Sequence, residues 1–307
     1  MDRPRLGLIG VGRWGRRYLA TIDRLGCARL SAVTTSQTTL ELPAGCRAFR
    51  TWPEMLDGPA LDGVVLAVPP QLHRPIAEAC LDRRIPVLLE KPMATSLADA
   101  QHIAEVAAHA GVPVLVDHTH LFSPAFQRLG QLVGPGPLTI HGEGGGDGPV
   151  GRPVDPLWDW GPHDIAMCLQ LTAAPPASVA ARRITETPDG RSLTELRLRF
   201  PGGDEALLVV GNAMAAKRRL FEVDDGSQLL IYDDLAPDKL IRRRAGGEAG
   251  EDTVPIADEW PLDRVVKEFA GLIGSGATGH PSLELGVDVV RVLTAADQAV
   301  TAAGQSG

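Results

Sequence analysis

Lysine is scarce in this chain, and one of its four lysines stands where it could do chemistry. Lys91 follows the apolar run Val87–Leu89 within Leu89-Glu90-Lys91-Pro92. Open α/β sheets bind ligands beyond the C-terminal ends of their parallel strands. An ammonium group there can hydrogen-bond a substrate oxygen and favour negative charge on it during hydride transfer. The plainer alternative is a surface lysine at a turn. A second cluster is Leu157-Trp158-Asp159-Trp160-Gly161-Pro162-His163-Asp164-Ile165. Asp159 and His163 are four apart at an expected helix start, a spacing that puts side chains on one face. Histidine titrates near neutrality, so it can take a hydroxyl proton and return it. Asp159 can accept a bond from one ring nitrogen and orient the other. The plainer alternative is a capping aspartate and a core histidine. Asp164 reads as a structural partner.

A third group could hold a dinucleotide. Gly10-Val11-Gly12-Arg13-Trp14-Gly15 is a GxGxxG that follows a strand pattern and opens a helix pattern. Gly10 permits the tight turn, Gly12 lets backbone approach a pyrophosphate, and Gly15 lets helix pack on strand. The helix start then offers free N–H groups to the phosphates. Arg13 and Trp14, inside the motif, count with the cofactor-binding residues. The second strand ends in Thr34-Thr35-Ser36-Gln37, without the acid that would hold the ribose diol of NAD. Hydroxyls of Thr34 and Ser36, with charge from Arg13, lean slightly to NADP over NAD. No arginine follows Ser36, which keeps both cofactors open.

These groups need a scaffold, and the apolar pattern supplies one. Strands are expected at Arg5–Ile9, Arg29–Thr34, Val64–Val68, Val87–Leu89 and Val112–Val116. Helices are expected at Arg13–Leu25, Arg74–Arg83 and Ser96–Ala110, the last with Ser96 as N-cap and Gly111 past its end. Alternation of this kind implies a parallel, doubly wound Rossmann sheet. Past residue 120 the pattern changes. A helix over Pro124–Leu132 precedes a Gly/Pro-rich stretch from Gly134 to Pro153, whose glycines at 142–152 read as a mobile active-site rim. From about 177 to 243 strands follow one another, with hairpin signals at Pro201–Asp204 and Asp225-Gly226. Helices at Leu262–Ile273 and Leu283–Val300 close the chain. The fold class is therefore α/β, with a dinucleotide-binding domain over 1–120 and a substrate-binding and oligomerisation α+β domain over 121–307.

Bulk properties bound the partners. The 307 residues suit two domains, and a net charge of −8 argues against nucleic acid or an anionic membrane. No apolar run approaches the roughly 18 residues of a spanning helix. The first strand pattern starts almost at once, leaving no room for a signal peptide, so a cytoplasmic location is expected. Cys27, Cys46, Cys80 and Cys168 are far apart, so neither a metal site nor a disulfide framework is expected.

The motifs together resemble the glucose–fructose oxidoreductase and inositol dehydrogenase family (Gfo/Idh/MocA). They stand in order: GVGRWG at 10–15, VPPQLH at 68–73, EKP at 90–92, DHTHLFSPA at 117–125 and LWDWGPHDI at 157–165. The resemblance implies a Rossmann domain and a second domain with a large open, mainly antiparallel sheet. It implies that Lys91, Asp159 and His163 are the catalytic group. It places Val68 and Pro69 beside the nicotinamide ribose, with His73 of the same motif and Glu90 at that end of the cofactor. Thr119, His120, Trp158 and His163 become substrate-side residues. Segment 117–125 is most similar to members that act on nucleotide-linked sugars. Leu121 replaces an arginine common before the F-S-P triplet, so the sugar itself does not carry over. His120 either replaces that polar contact or lies at the rim.

The expected activity is hydride transfer between a nicotinamide and a secondary alcohol or ketone of a sugar, polyol or nucleotide sugar. The alternatives are a dinucleotide-binding sensor without turnover and an enzyme acting on a non-sugar double bond or imine. The apolar run Leu207-Leu208-Val209-Val210 further suggests a homodimer or homotetramer packed through the second sheet.

Overall fold

The computed structural model describes residues 3–37, 39–148, 154–244 and 250–305. The chain divides into two compact units, Met1–Thr119 with Trp260–Val287, and His120–Glu259 with Asp288–Gly307. The expected boundary near 120 assigned every later residue to the second domain, and packing departs from that for Trp260–Val287.

In the first unit, β1 (Arg5–Ile9), β2 (Arg29–Thr34), β3 (Arg47–Phe49), β4 (Gly63–Leu66), β5 (Val87–Glu90) and β6 (Val114–Asp117) form one parallel sheet. Their order is β3-β2-β1-β4-β5-β6. The central strands are buried on both faces, which is why β4, β5 and β6 are continuous apolar runs until their last residues. Helices α1 (Arg13–Leu25), α2 (Trp52–Leu56), α3 (His73–Asp82) and α4 (Leu97–Ala110) connect them. Helix α4 has the expected ends: the Ser96 hydroxyl accepts the Asp99 N–H at 3.1 Å, and Gly111 is left-handed at φ 61°. Helix α2 and β3 were not expected, although Thr51-Trp52-Pro53-Glu54 carries a complete capping box.

Helix α7 (Pro261–Ser275) joins this unit for a local reason. Gly63 at the start of β4 has no side chain, and a Cβ there would stand 2.6 Å from Ile273 and 3.0 Å from Phe269. Arg24 of α1 pairs with the buried Asp263. At the start of α8 (Ser282–Gln305), the Ser282 hydroxyl accepts the Val116 N–H at 2.9 Å.

The second unit contains α5 (Pro124–Leu132), β7 (Thr139–Asp147), α6 (Pro156–Thr172) and β8 (Ser178–Glu186). It continues with β9 (Ser192–Arg199), β10 (Glu205–Gly211), β11 (Ala213–Asp224), β12 (Gln228–Asp233), β13 (Leu240–Arg244) and β14 (Glu251–Thr253). The eight strands run in the order β14-β13-β12-β11-β7-β10-β9-β8. Only β7 and β10 are parallel neighbours, and the other pairs are antiparallel.

The glycine-rich stretch is the main correction to the expected elements. It is no rim over 142–147: it is β7, an interior strand of the sheet. Residues 149–153 of that stretch lie outside the described residues. Glycine is required there by neighbours distant in sequence. A Cβ on Gly144 would lie 2.4 Å from an Asp164 carboxyl oxygen and 3.1 Å from the Arg219 guanidinium, and one on Gly142 would lie 2.8 Å from Leu208. The strand gives up its side chains so that α6 can bury a charged residue against it. Helix α6 also starts earlier than expected. Asp155 caps it by accepting the Leu157 N–H at 2.8 Å, Pro156 occupies its first position, and Pro162 is interior. Asp159 and His163 therefore lie on successive turns inside one helix.

Candidate active site

Lys91 belongs to the first unit and the Asp159–His163 pair to the second. In the first unit the β1–α1 turn has a distinct reason for each glycine. Gly10 has φ +90°, and a Cβ there would lie 2.6 Å from the Ala67 carbonyl oxygen. A Cβ on Gly15 would lie 2.0 Å from the Gly10 carbonyl oxygen. Gly12 differs: its φ is −78°, which any residue adopts, and a Cβ there would meet nothing within 4 Å among the described residues beyond its chain neighbours. Neither conformation nor packing accounts for that glycine. Among the described residues no side chain caps α1 and no acid lies in its first turn, which leaves its leading N–H groups without a side-chain acceptor. An exposed, uncapped helix start beside an open glycine fits a dinucleotide pyrophosphate. Arg13 is exposed beside this turn, and Trp14 is half-buried with the Arg17 guanidinium 4.6 Å from its ring centroid.

The end of β2 shows what sequence order hid. Thr34 is buried, its hydroxyl 3.5 Å from the Leu8 carbonyl of β1. Ser36 is exposed. Arg50, from the link between β3 and α2, donates to the Ser36 carbonyl at 3.4 Å, and Arg16 of α1 bonds the Gln37 amide oxygen. Two guanidinium groups thus stand at the tip where no arginine follows in sequence.

Val68 is half-buried and Pro69 exposed just past β4. His73 is fully buried, with its ring nitrogens 3.0 Å from the Val68 carbonyl and 3.3 Å from the Met93 carbonyl. It lies between the loops that follow β4 and β5. Burial pushes it down to about 4, so it stays neutral, and its single N–H donates to one of these two carbonyls. Lys91 is half-buried and joined to Pro92 by a cis peptide bond. Glu90 is buried, opposite Asp117 in the β5–β6 register. Tyr18 of α1 donates its hydroxyl proton to Asp117, and Thr119 donates to the other Asp117 oxygen at 2.8 Å.

In the second unit His163 is buried on α6 and Asp159 half-buried one turn before it. The His120 ring meets His163 edge-on, centroids 4.9 Å apart, and His120 Nδ1 lies 3.0 Å from the Tyr232 hydroxyl. His120 thus stands between His163 and Tyr232. Trp158 packs in the core, 9% exposed. Its neighbour Trp160 is stacked by Arg219 at 4.5 Å. Arg219 in turn lies 4.0 Å from the buried Asp164, whose carboxyl burial pushes up to about 6.

Tyr232 and Arg219 escaped sequence reasoning because each lies within a strand pattern that looks ordinary. One signal was present. The chain has two tyrosines, and the structure puts one beside Glu90 and Asp117 and the other beside His120.

The family described as "Oxidoreductase family, NAD-binding Rossmann fold" matches residues 4–118. UDP-N-acetylglucosamine 3-dehydrogenase of Acidithiobacillus ferrooxidans is 25% identical over 97% of this chain and 96% of its own. Inositol 2-dehydrogenase 2 of Mycolicibacterium vanbaalenii is 33% identical over 46% of this chain and 44% of its own. A crystal structure from Magnetospirillum magnetotacticum MS-1 superposes with a TM-score of 0.87 at 36% identity, covering 96% of this chain and 99% of that one. The match thus extends from the dinucleotide turn through the second sheet, and this chain belongs to the Gfo/Idh/MocA family of oxidoreductases.

Proposed function

We propose that this oxidoreductase moves a hydride between a nicotinamide dinucleotide and a secondary alcohol or ketone of a sugar, polyol or nucleotide sugar. The dinucleotide, when bound, supplies the carbon that accepts or gives the hydride. Gly12 and the uncapped start of α1 would take its pyrophosphate, with Arg13 and Trp14 beside them. Lys91 holds an ammonium at the reacting oxygen and steadies negative charge on it. His163 holds the hydroxyl proton, and His120 with Tyr232 continues a line of proton-bearing groups away from it. Asp159, one turn before His163, orients that pair. The observation that carries this reading is the convergence of His163, His120 and Tyr232, three proton-bearing groups from three separate segments of the second unit. The substrate class draws support from relatives that act on inositol and on UDP-N-acetylglucosamine.

Arg50 and Arg16 favour NADP over NAD, because a 2′-phosphate beside Ser36 would meet two guanidinium groups. Fluorescence titration with both dinucleotides tests this. NADP is expected to bind more tightly, and Arg50→Ala to weaken NADP by about tenfold with NAD unchanged. Equal loss for both cofactors would defeat the specificity assignment. Incubation with myo-inositol and UDP-N-acetylglucosamine, following reduced nicotinamide by absorbance, tests the reaction. Tight dinucleotide binding with no redox change across a wide sugar panel would defeat that reading.

The exposed face of the second sheet supports a homodimer or homotetramer. Leu193, Leu207 and Val209 are half-exposed there while Leu196, Leu208 and Val210 are buried on the other face. Sedimentation at micromolar concentration is expected to show the assembly, and a persistent monomer would remove it.

A further inference from the structure

The buried acids behind Lys91 have no place in the reaction as described so far, and their surroundings are unusual. Glu90 and Asp117 are register partners at the ends of adjacent parallel strands, roughly 4.8 Å apart along the backbone. Asp117 is wholly buried and Glu90 nearly so. Tyr18, also wholly buried, reaches both from α1. On the other side β4 ends at Leu66, opposite Leu89, and brings no titratable group. His118, next to Asp117, is buried with neither ring nitrogen hydrogen-bonded, and burial pushes it down to about 3. It is therefore neutral. Among the described residues, Lys91 is the cation whose field acts on both Glu90 and Asp117.

Two buried carboxylates facing one ammonium cannot both stay ionised cheaply. The hydrogen bonds decide which one keeps the charge. Asp117 accepts from Tyr18 on one oxygen and from Thr119 on the other. Glu90 has an oxygen, Oε1, that no donor among the described residues reaches. The Tyr18 hydroxyl has one proton to give, and it goes to Asp117. Its oxygen can then accept a hydrogen bond from a protonated Glu90 carboxyl.

We propose that Glu90 and Asp117 form a proton-sharing pair, linked through Tyr18, that acts as a positioning device for the Lys91 ammonium. In the working state Glu90 is a neutral acid and Asp117 is the single counter-charge. The ammonium is then balanced by one negative charge. Ionisation of Glu90 adds a second negative charge behind the lysine and weakens its hold on that oxygen. Burial and Asp117 both push Glu90 up, to about 8, so the change falls just above neutrality. The inference rests on the reading of Lys91 given above, but its readouts do not.

Infrared spectroscopy of the full chain against pH tests it, following the carbonyl stretch of a protonated carboxylic acid. The expected band persists at neutral pH and disappears with a midpoint near 8. Glu90→Gln removes it. Lys91→Met moves the midpoint upward by about one unit or more, because the cation that favours the ionised form is gone. A band absent from the native chain at neutral pH, or retained in Glu90→Gln, overturns the pair. A midpoint unmoved in Lys91→Met overturns its link to the lysine. None of these measurements uses turnover. A fully active Lys91→Met protein would sink the catalytic reading and leave the spectra to judge the pair.

Discussion

Lys91→Met is expected to lower kcat by roughly 10²- to 10⁴-fold while dinucleotide affinity stays within about threefold. Methionine keeps most of the lysine's length and removes its charge, so the half-buried position stays filled. What is lost is the ammonium that would face negative charge on the substrate oxygen. That charge develops most in the transition state, so the loss should appear in kcat more than in KM. His163→Asn is expected to cost a similar factor, because an amide cannot carry the proton. If both groups serve one oxygen, the double variant should be no worse than about tenfold below the poorer single variant. Steady-state kinetics with a turned-over sugar or polyol check all three proteins. A Lys91→Met enzyme of native kcat would refute the role, and fully multiplicative losses would argue that the two residues serve different steps.

The parts of this molecule that were legible in its sequence are those governed by near neighbours. β1, α1 and β2 have the expected limits because a glycine turn, a Gly26 C-cap and continuous apolar runs are local facts. The Ser96 cap on α4 is equally local. The misread parts depend on residues far along the chain. Three glycines in a row suggest a loop until Asp164 and Arg219, twenty and seventy-five residues past Gly144, are known to press against that strand. Arg50 acquires meaning only when β3 is placed beside β2, which brings the link after β3 against Ser36. His73 lies in the VPPQLH motif, and only the fold shows that it is fully buried between the loops after β4 and β5. Tyr18 and Asp117 are ninety-nine residues apart, and only the sheet order shows that they meet.

The glycines of the β1–α1 turn allow binding and folding to be separated. Gly15→Ala is expected to damage both. Its Cβ would enter to 2.0 Å from the Gly10 carbonyl oxygen, a backbone atom of the same turn that has no rotamer to change. The start of α1 must then lift from β1, at a cost of about 1–3 kcal/mol and at the expense of the N–H geometry that faces a phosphate. Gly12→Ala is expected to leave the melting temperature unchanged, since among the described residues the new methyl meets nothing within 4 Å beyond its chain neighbours and φ of −78° suits alanine. Its dinucleotide affinity should nonetheless fall by at least about tenfold, because the methyl takes the space into which a pyrophosphate would come. Calorimetry of the free proteins and titration with NADP distinguish the two variants. A Gly12→Ala protein with native affinity would mean that the phosphates lie elsewhere, and that the open glycine has another cause.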